Sequence, residues 1–230
     1  MLNHKNGVVL LFYCVLAFLY NNHLYSSDRL KLIMIDPAGD AHHKGRLLHQ
    51  SYERAITYKW AETLKKKLES DSTLVLLTRT PGEELLPFQV PSLTNRLNVD
   101  LFIRLQCYKD QLEKPTLFIY NLVFDPVMDF IQRNTSAYSF IPLHQAHFKN
   151  IKNSCSVGKK IYQSLSHNYN NKQYEVLGPY GLPLKALVGI SSPSVLLELC
   201  LAEKDTDWEL LADPIATSLS NYEKITNQAS

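Results

Sequence analysis

The stretch Leu30–Gly45, L-K-L-I-M-I-D-P-A-G-D-A-H-H-K-G, decides how the rest of the chain is read. Its apolar run Leu32–Ile35 stops abruptly at Asp36-Pro37. A short apolar run closed by a turn signal reads as a buried strand, of the parallel kind, that opens into a loop. In open α/β sheets the chemistry collects in the loops beyond the carboxyl ends of the strands. This loop holds Asp36, Asp40, His42 and His43 within eight positions, a dense group of polar ligand atoms.

Downstream, Tyr52–Glu69 reads as a helix, because Ile56, Trp60, Leu64 and Leu68 recur every four residues with Lys and Glu on the other side. Glu53 sits in its first turn, where a carboxylate meets the positive end of the helix dipole. Leu74–Leu77 is a second strand, Pro81–Pro91 a loop, Ser92–Asn98 a short helix and Asp100–Leu105 a third strand. Thr116–Val123 has strong β character. Asp125–Asn150 is irregular and reads as an insertion, and Ser156–Ser166 has helical spacing of Val157, Ile161 and Leu165. After a polar turn at Asn168–Gln173, Leu184–Ile190 and Ser194–Cys200 are expected as the fifth and sixth strands. Asp207–Ile225 fits a last helix interrupted or started by Pro214. Strands alternating with helices imply an α/β layer with a mostly parallel sheet.

The chain has 230 residues, 45% hydrophobic and 20% charged, which suits one globular domain behind a short leader. A formal net charge of +2, with no basic patch, gives no footing for nucleic acid, and Lys65-Lys66-Lys67 reads as a solvated helix face. Cys14, Cys107, Cys155 and Cys200 form no C-x-x-C pair and no structural zinc spacing. At the N-terminus, Lys5 precedes the uncharged run Gly7–Tyr20. That is a secretory pattern, short for a full span and without a small-x-small cleavage site. The expectation is a signal anchor and linker over residues 1–28, followed by a domain over 29–230, with a cleaved signal as the alternative.

In S-P-S-V-L-L-E-L-C, Ser192–Cys200, Glu198 stands alone within an apolar run. A carboxylate there is costly unless it is paired, metal-bound or acting as an acid or base. The plain alternative is a partner such as Lys185 or Arg104.

Five stretches, in order, resemble the zinc-dependent N-acetylmuramoyl-L-alanine amidases: L-I-M-I-D-P at Leu32–Pro37, E-R-A-I-T-Y-K-W-A-E-T-L at Glu53–Leu64, L-V-L-L-T-R at Leu74–Arg79, D-L-F-I-R-L-Q at Asp100–Gln106 and V-L-L-E-L-C-L at Val195–Leu201. Asp205–Leu211 resembles the continuation of that pattern. The resemblance implies a twisted six-stranded sheet with helices on both faces, and hydrolysis of the amide joining muramic acid to the first L-alanine of peptidoglycan. It also implies a zinc held by His, Glu and His, with a late glutamate as general base. Mapped residue by residue, the first histidine falls on Gly39, the glutamate ligand on Glu53, the second histidine on Gln106 and the base on Glu198. Gln106, Arg104 and Asp36 then line the substrate groove.

With two imidazoles replaced, the expectation is a peptidoglycan-binding or regulatory domain, exported and facing the periplasm, that needs no cofactor. Its partners would be peptidoglycan, other cell-wall hydrolases and, through the leader, the membrane. The alternative is a working amidase whose zinc is held by Glu53 with His42 or His43, assisted by Asp36, Asp40 or Cys107. A serine hydrolase is disfavoured, since no G-x-S-x-G elbow occurs.

Overall fold

The computed structural model describes residues 30–70, 72–86, 88–123, 141–168 and 173–220. The expected leader, positions 125–140 of the expected insertion, most of the expected polar turn and the end of the last expected helix lie outside those residues. The strands are β1 (Leu32–Pro37), β2 (Leu74–Leu77), β3 (Leu101–Lys109), β4 (Thr116–Leu122), β5 (Glu175–Leu182) and β6 (Ser194–Leu201). The helices are α1 (Glu53–Leu68), α2 (Gln89–Leu97), α3 (Ile151–Asn168) and α4 (Glu209–Ser220), with 3₁₀ turns at Leu143–Asn150 and Lys185–Leu187.

One six-stranded sheet runs β2-β1-β3-β6-β4-β5. β2, β1, β3 and β6 are parallel, β4 lies antiparallel to β6, and β5 is parallel to β4. The α/β, mostly parallel expectation therefore holds, with one antiparallel join.

The two faces of the sheet differ because side chains alternate along each strand. Ile33, Ile35, Leu101, Ile103, Leu105, Cys107, Val195, Leu197 and Leu199 point to the main core. There they meet Trp60 and Leu64 of α1, Ile161 and Leu165 of α3, and Leu211 and Ile215 of α4. The four-residue stripe of α1 is what buries it: Ile56, Trp60, Leu64 and Leu68 are 5% exposed or less. The opposite face starts apolar, where Met34, Phe102, Leu122 and Leu196 pack with Leu187 and Ile190 and with Val90 and Leu93 of α2. Further along the same strands that face turns polar. Register places Asp36 beside Arg104 and Gln106 beside Glu198. The change from apolar to polar along one face is what positions the site.

Three expectations need correction. The fifth strand is Glu175–Leu182, not Leu184–Ile190, whose middle is a 3₁₀ turn. β5 is an edge strand, largely exposed, so it needs no apolar run and tolerates Pro179. Leu184–Ile190 is apolar because Leu187 and Ile190 fill the smaller core. β3 continues to Lys109 beyond the expected Leu105, because its ladder with β6 extends through Gln106 and Tyr108. α2 begins at Gln89, inside the expected loop. Among the described residues no helix is long and apolar enough to cross a membrane.

Candidate functional site

Residues 38–52 form a strap between β1 and α1, and its path is fixed by polar groups at both ends. Asp40 Oδ1 accepts the backbone N–H groups of His42 (2.9 Å) and His43 (2.7 Å), a local turn that Asp forms readily. The same bonds, that of His43 foremost, hold the Asp40 carboxyl below its ordinary pKa. Arg54 Nη1 donates to the carbonyls of Asp40 (2.6 Å) and Ala41 (3.2 Å), and Arg79 Nη1 donates to that of Gly39 (2.8 Å). At the far end, the carboxylate of Asp205 accepts the N–H groups of His49 (3.0 Å) and Gln50 (2.9 Å).

The strap closes over Glu53, which is 7% exposed at the start of α1. Its Oε1 accepts the N–H of Cys107 at 3.2 Å and its Oε2 that of Arg46 at 3.3 Å. Its own N–H donates to the Arg46 carbonyl at 2.8 Å. Gly45, with φ +75°, lies directly on this carboxylate: a Cβ there would stand 2.7 Å from Oε2 and 2.8 Å from the Glu53 Cβ. Only glycine meets both the positive φ and the close approach.

Glu198 projects from β6 onto the polar face, its side chain 16% exposed. Arg46 Nη1 donates to its Oε1 at 3.4 Å, and the Tyr120 hydroxyl donates to it as well. Burial raises the Glu198 pKa; Arg46 opposes that shift, and the nearby Glu53 charge adds to it. The Arg46 Cζ lies 5.6 Å from the centroid of the Tyr108 ring. Burial, with Cys200 and Glu198 nearby, pushes the Tyr108 hydroxyl well up.

Of the residues singled out from sequence, Glu53, Gln106 and Glu198 come together: Arg46 touches both carboxylates, and Gln106 is the register partner of Glu198. The others make their contacts elsewhere. His42 Nε2 lies 3.1 Å from Glu84 and is 68% exposed, and His43 pairs with Asp40 at 3.1 Å and is 81% exposed. Gly39, with φ +81°, packs against the Arg54 Cβ. Asp36 and Arg104 join a buried ion cluster, in which Asp36 accepts from Thr78 Oγ1 (2.5 Å), Arg79 Nη2 (2.7 Å) and Arg104 Nη1. Cys107 stays in the strand and faces the main core, opposite Gln106.

Gly45, Arg46, Tyr108 and Tyr120 were not read from sequence. Tyr108 follows Gln106 at the period-two spacing of a strand face, a signal that was available. Nothing local marks Arg46. A separate cavity of about 390 Å³ is lined by Gly39, Arg54, Tyr58, Glu62 and Arg79 among others.

Zinc sites of the implied kind use three protein ligands and keep one position open. Here each oxygen of Glu53 accepts a backbone N–H, no imidazole among the described residues is bonded to it, and a guanidinium lies on Glu198. Among the described residues no group of three or more His, Cys, Asp and Glu side chains is arranged to hold a metal ion. The residues present do not fit zinc.

A mixed sheet with helices on its faces, in which the helix-opening Glu53 and the strand residue Glu198 both meet Arg46, defines the arrangement as an α/β fold with a polar site on one face. The catalytic domain of the N-acetylmuramoyl-L-alanine amidase CwlV from Bacillus (Paenibacillus) polymyxa var. colistinus superposes with a TM-score of 0.58 at 14% identity, covering 86% of this chain and 100% of that one. AmiC2 of Nostoc punctiforme, an N-acetylmuramoyl-L-alanine amidase, gives 0.57 at 14% identity, covering 84% and 96%. The CwlD amidase of Clostridioides difficile, in complex with the GerS lipoprotein, gives 0.55 at 17% identity, covering 82% and 96%. No curated protein matches the chain in sequence. The N-acetylmuramoyl-L-alanine amidase family profile matches residues 33–223, and the chain belongs to that family.

Proposed function

We propose that this chain is an exported member of the amidase family that binds peptidoglycan and regulates cell-wall hydrolysis without cutting the lactyl–L-alanine amide itself. The observation that carries the reading is the surroundings of Glu53, the one ligand residue kept: its oxygens accept the backbone N–H groups of Arg46 and Cys107, and among the described residues it belongs to no group of three metal-ligating side chains. Gly39 and Gln106 stand where the resemblance puts the two imidazoles, and His42 and His43 are bonded to Glu84 and Asp40. Water without a metal keeps a pKa of about 15.7, and a lone general base is worth roughly 10²–10⁴-fold. Glu198 alone is therefore too little for amide hydrolysis.

What remains is a face of polar and aromatic groups on the sheet, Gln106, Tyr108, Tyr120 and Glu198, suited to hydrogen-bonding a peptide-bearing polymer. The run Gly7–Tyr20 tethers the domain at the inner membrane, facing the periplasm. The Clostridioides difficile relative is described with a lipoprotein partner. Partnership with another envelope protein, such as an active hydrolase, suits a chain that binds without cutting.

The test is cosedimentation of the full chain, in mild detergent, with purified insoluble peptidoglycan. Retention that falls when soluble stem peptides compete supports the reading. A chain that stays in the supernatant overturns it.

A further inference from the structure

Glu53 and Glu198 come from distant parts of the chain, and both are withdrawn from water, at 7% exposure for Glu53 and 16% for the Glu198 side chain. Two such carboxylates facing one cleft repel each other unless a cation lies between them. We infer that Arg46 is the resident cation of this site, a residue of the strap whose guanidinium answers the Glu198 charge while its backbone N–H holds Glu53. The inference rests on the reading of a cleft without bound metal.

Three contacts on three elements hold Arg46 in that role. Its backbone N–H donates to Glu53 Oε2 of α1 at 3.3 Å, its side-chain Nη1 donates to Glu198 Oε1 of β6 at 3.4 Å, and its Cζ stands 5.6 Å from the Tyr108 ring of β3. A guanidinium suits this place, since its plane can lie on an aromatic ring while its fork meets a carboxylate.

The strap is built to deliver this side chain. Gly45 takes the positive φ that lets the backbone lie on Glu53, and Glu53 N–H returns a bond to the Arg46 carbonyl at 2.8 Å. Arg54 and Asp205 fix the strap on either side. An external cation would have to displace a group that is covalently tethered at its site, which gives Arg46 the advantage of a high effective concentration. The same side chain is 57% exposed, so its charge is partly screened by solvent.

The test is a double-mutant cycle on the full chain, reading melting temperature for Arg46→Ala, Arg46→Lys, Glu198→Gln and Arg46→Ala/Glu198→Gln, each with and without added zinc chloride. Arg46→Ala is expected to lower the melting temperature by about 1–4 °C, the guanidinium being largely solvent-screened. Glu198→Gln removes the charge Arg46 answers, so the double variant recovers at least half of that loss, and Arg46→Lys keeps more stability than Arg46→Ala. Strictly additive effects, or Arg46→Lys no better than Arg46→Ala, overturn the role of Arg46. If Arg46→Ala does not fold, the same inference requires Glu198→Gln to make it foldable, and failure to do so overturns it. Zinc separates the two ideas: it should leave the unmodified chain's melting temperature unchanged. A rise of several degrees overturns the metal-free cleft, and with it the inference, whereas additivity without a zinc effect overturns only the inference.

Discussion

Replacing Asp36 with asparagine keeps its shape and removes its charge, and the structure lets the consequence be worked out. The Asp36 side chain is 4% exposed, and the Arg79 and Arg104 side chains paired with it are 11% and 15% exposed. Asp36→Asn leaves two guanidinium groups facing a neutral amide in a poorly solvated place. Removing one partner of a buried ion pair costs about 3–5 kcal/mol. For a domain of this size, that corresponds to a fall in melting temperature of roughly 10 °C.

The effect is pH-dependent in a definite sense. Burial alone would raise the Asp36 pKa, but Arg104, Arg79 and the Thr78 hydroxyl outweigh it, and the pKa is lowered. A carboxylate depressed by folding contributes its stability fully above the unfolded pKa of about 3.9 and loses it as pH falls through the folded value. Urea unfolding followed by circular dichroism should therefore show a large gap between the two proteins at neutral pH, closing below about pH 4. A variant within about 1 kcal/mol of the parent at neutral pH, with the same acid limb, refutes the reasoning and returns Asp36 and Arg104 to the role of accessible groove residues.

Asp205→Ala removes the acceptor for the N–H groups of His49 and Gln50, and is expected to cost about 1–2 kcal/mol while loosening the strap. Limited trypsin digestion with mass spectrometry should show faster cleavage after Lys44 and Arg46; unchanged cleavage contradicts the pinning. Gly39→His with Gln106→His restores the two imidazoles of the family pattern, yet Gly39 has φ +81° and its Cβ would lie 2.7 Å from the Arg54 Cβ. That pair should therefore lose stability and bind no stoichiometric zinc, and elemental analysis showing one zinc per chain would contradict the strap geometry.

The fold was legible where burial forces an apolar pattern. β1, β2, β4 and β6 and the stripe of α1 have core faces that must be apolar, so their sequence announces them. β5 escaped because an edge strand with Gly178, Pro179 and Gly181 carries turn signals while its exposed face asks for no apolar run. The apolar stretch that drew attention instead, Leu184–Ile190, serves the smaller core through side chains on a 3₁₀ turn.

At the site, Glu198 was legible because a carboxylate inside an apolar strand is conspicuous, whereas Glu53, at a helix start where a carboxylate ordinarily meets the dipole, was legible only through the family resemblance. Arg46 was not, since its meaning depends on where a strap of irregular backbone sets it down, and no periodicity constrains such a segment. His42 and His43 drew attention by residue type alone, and their bonds run outward to Glu84 and Asp40.

The most direct test of a cleft that binds peptidoglycan without cutting it is the release of stem peptide from purified peptidoglycan by the full chain, assayed with added zinc and with chelator. The account predicts release at the level of the buffer control in both conditions. Release that rises with zinc and is abolished by chelator would contradict it.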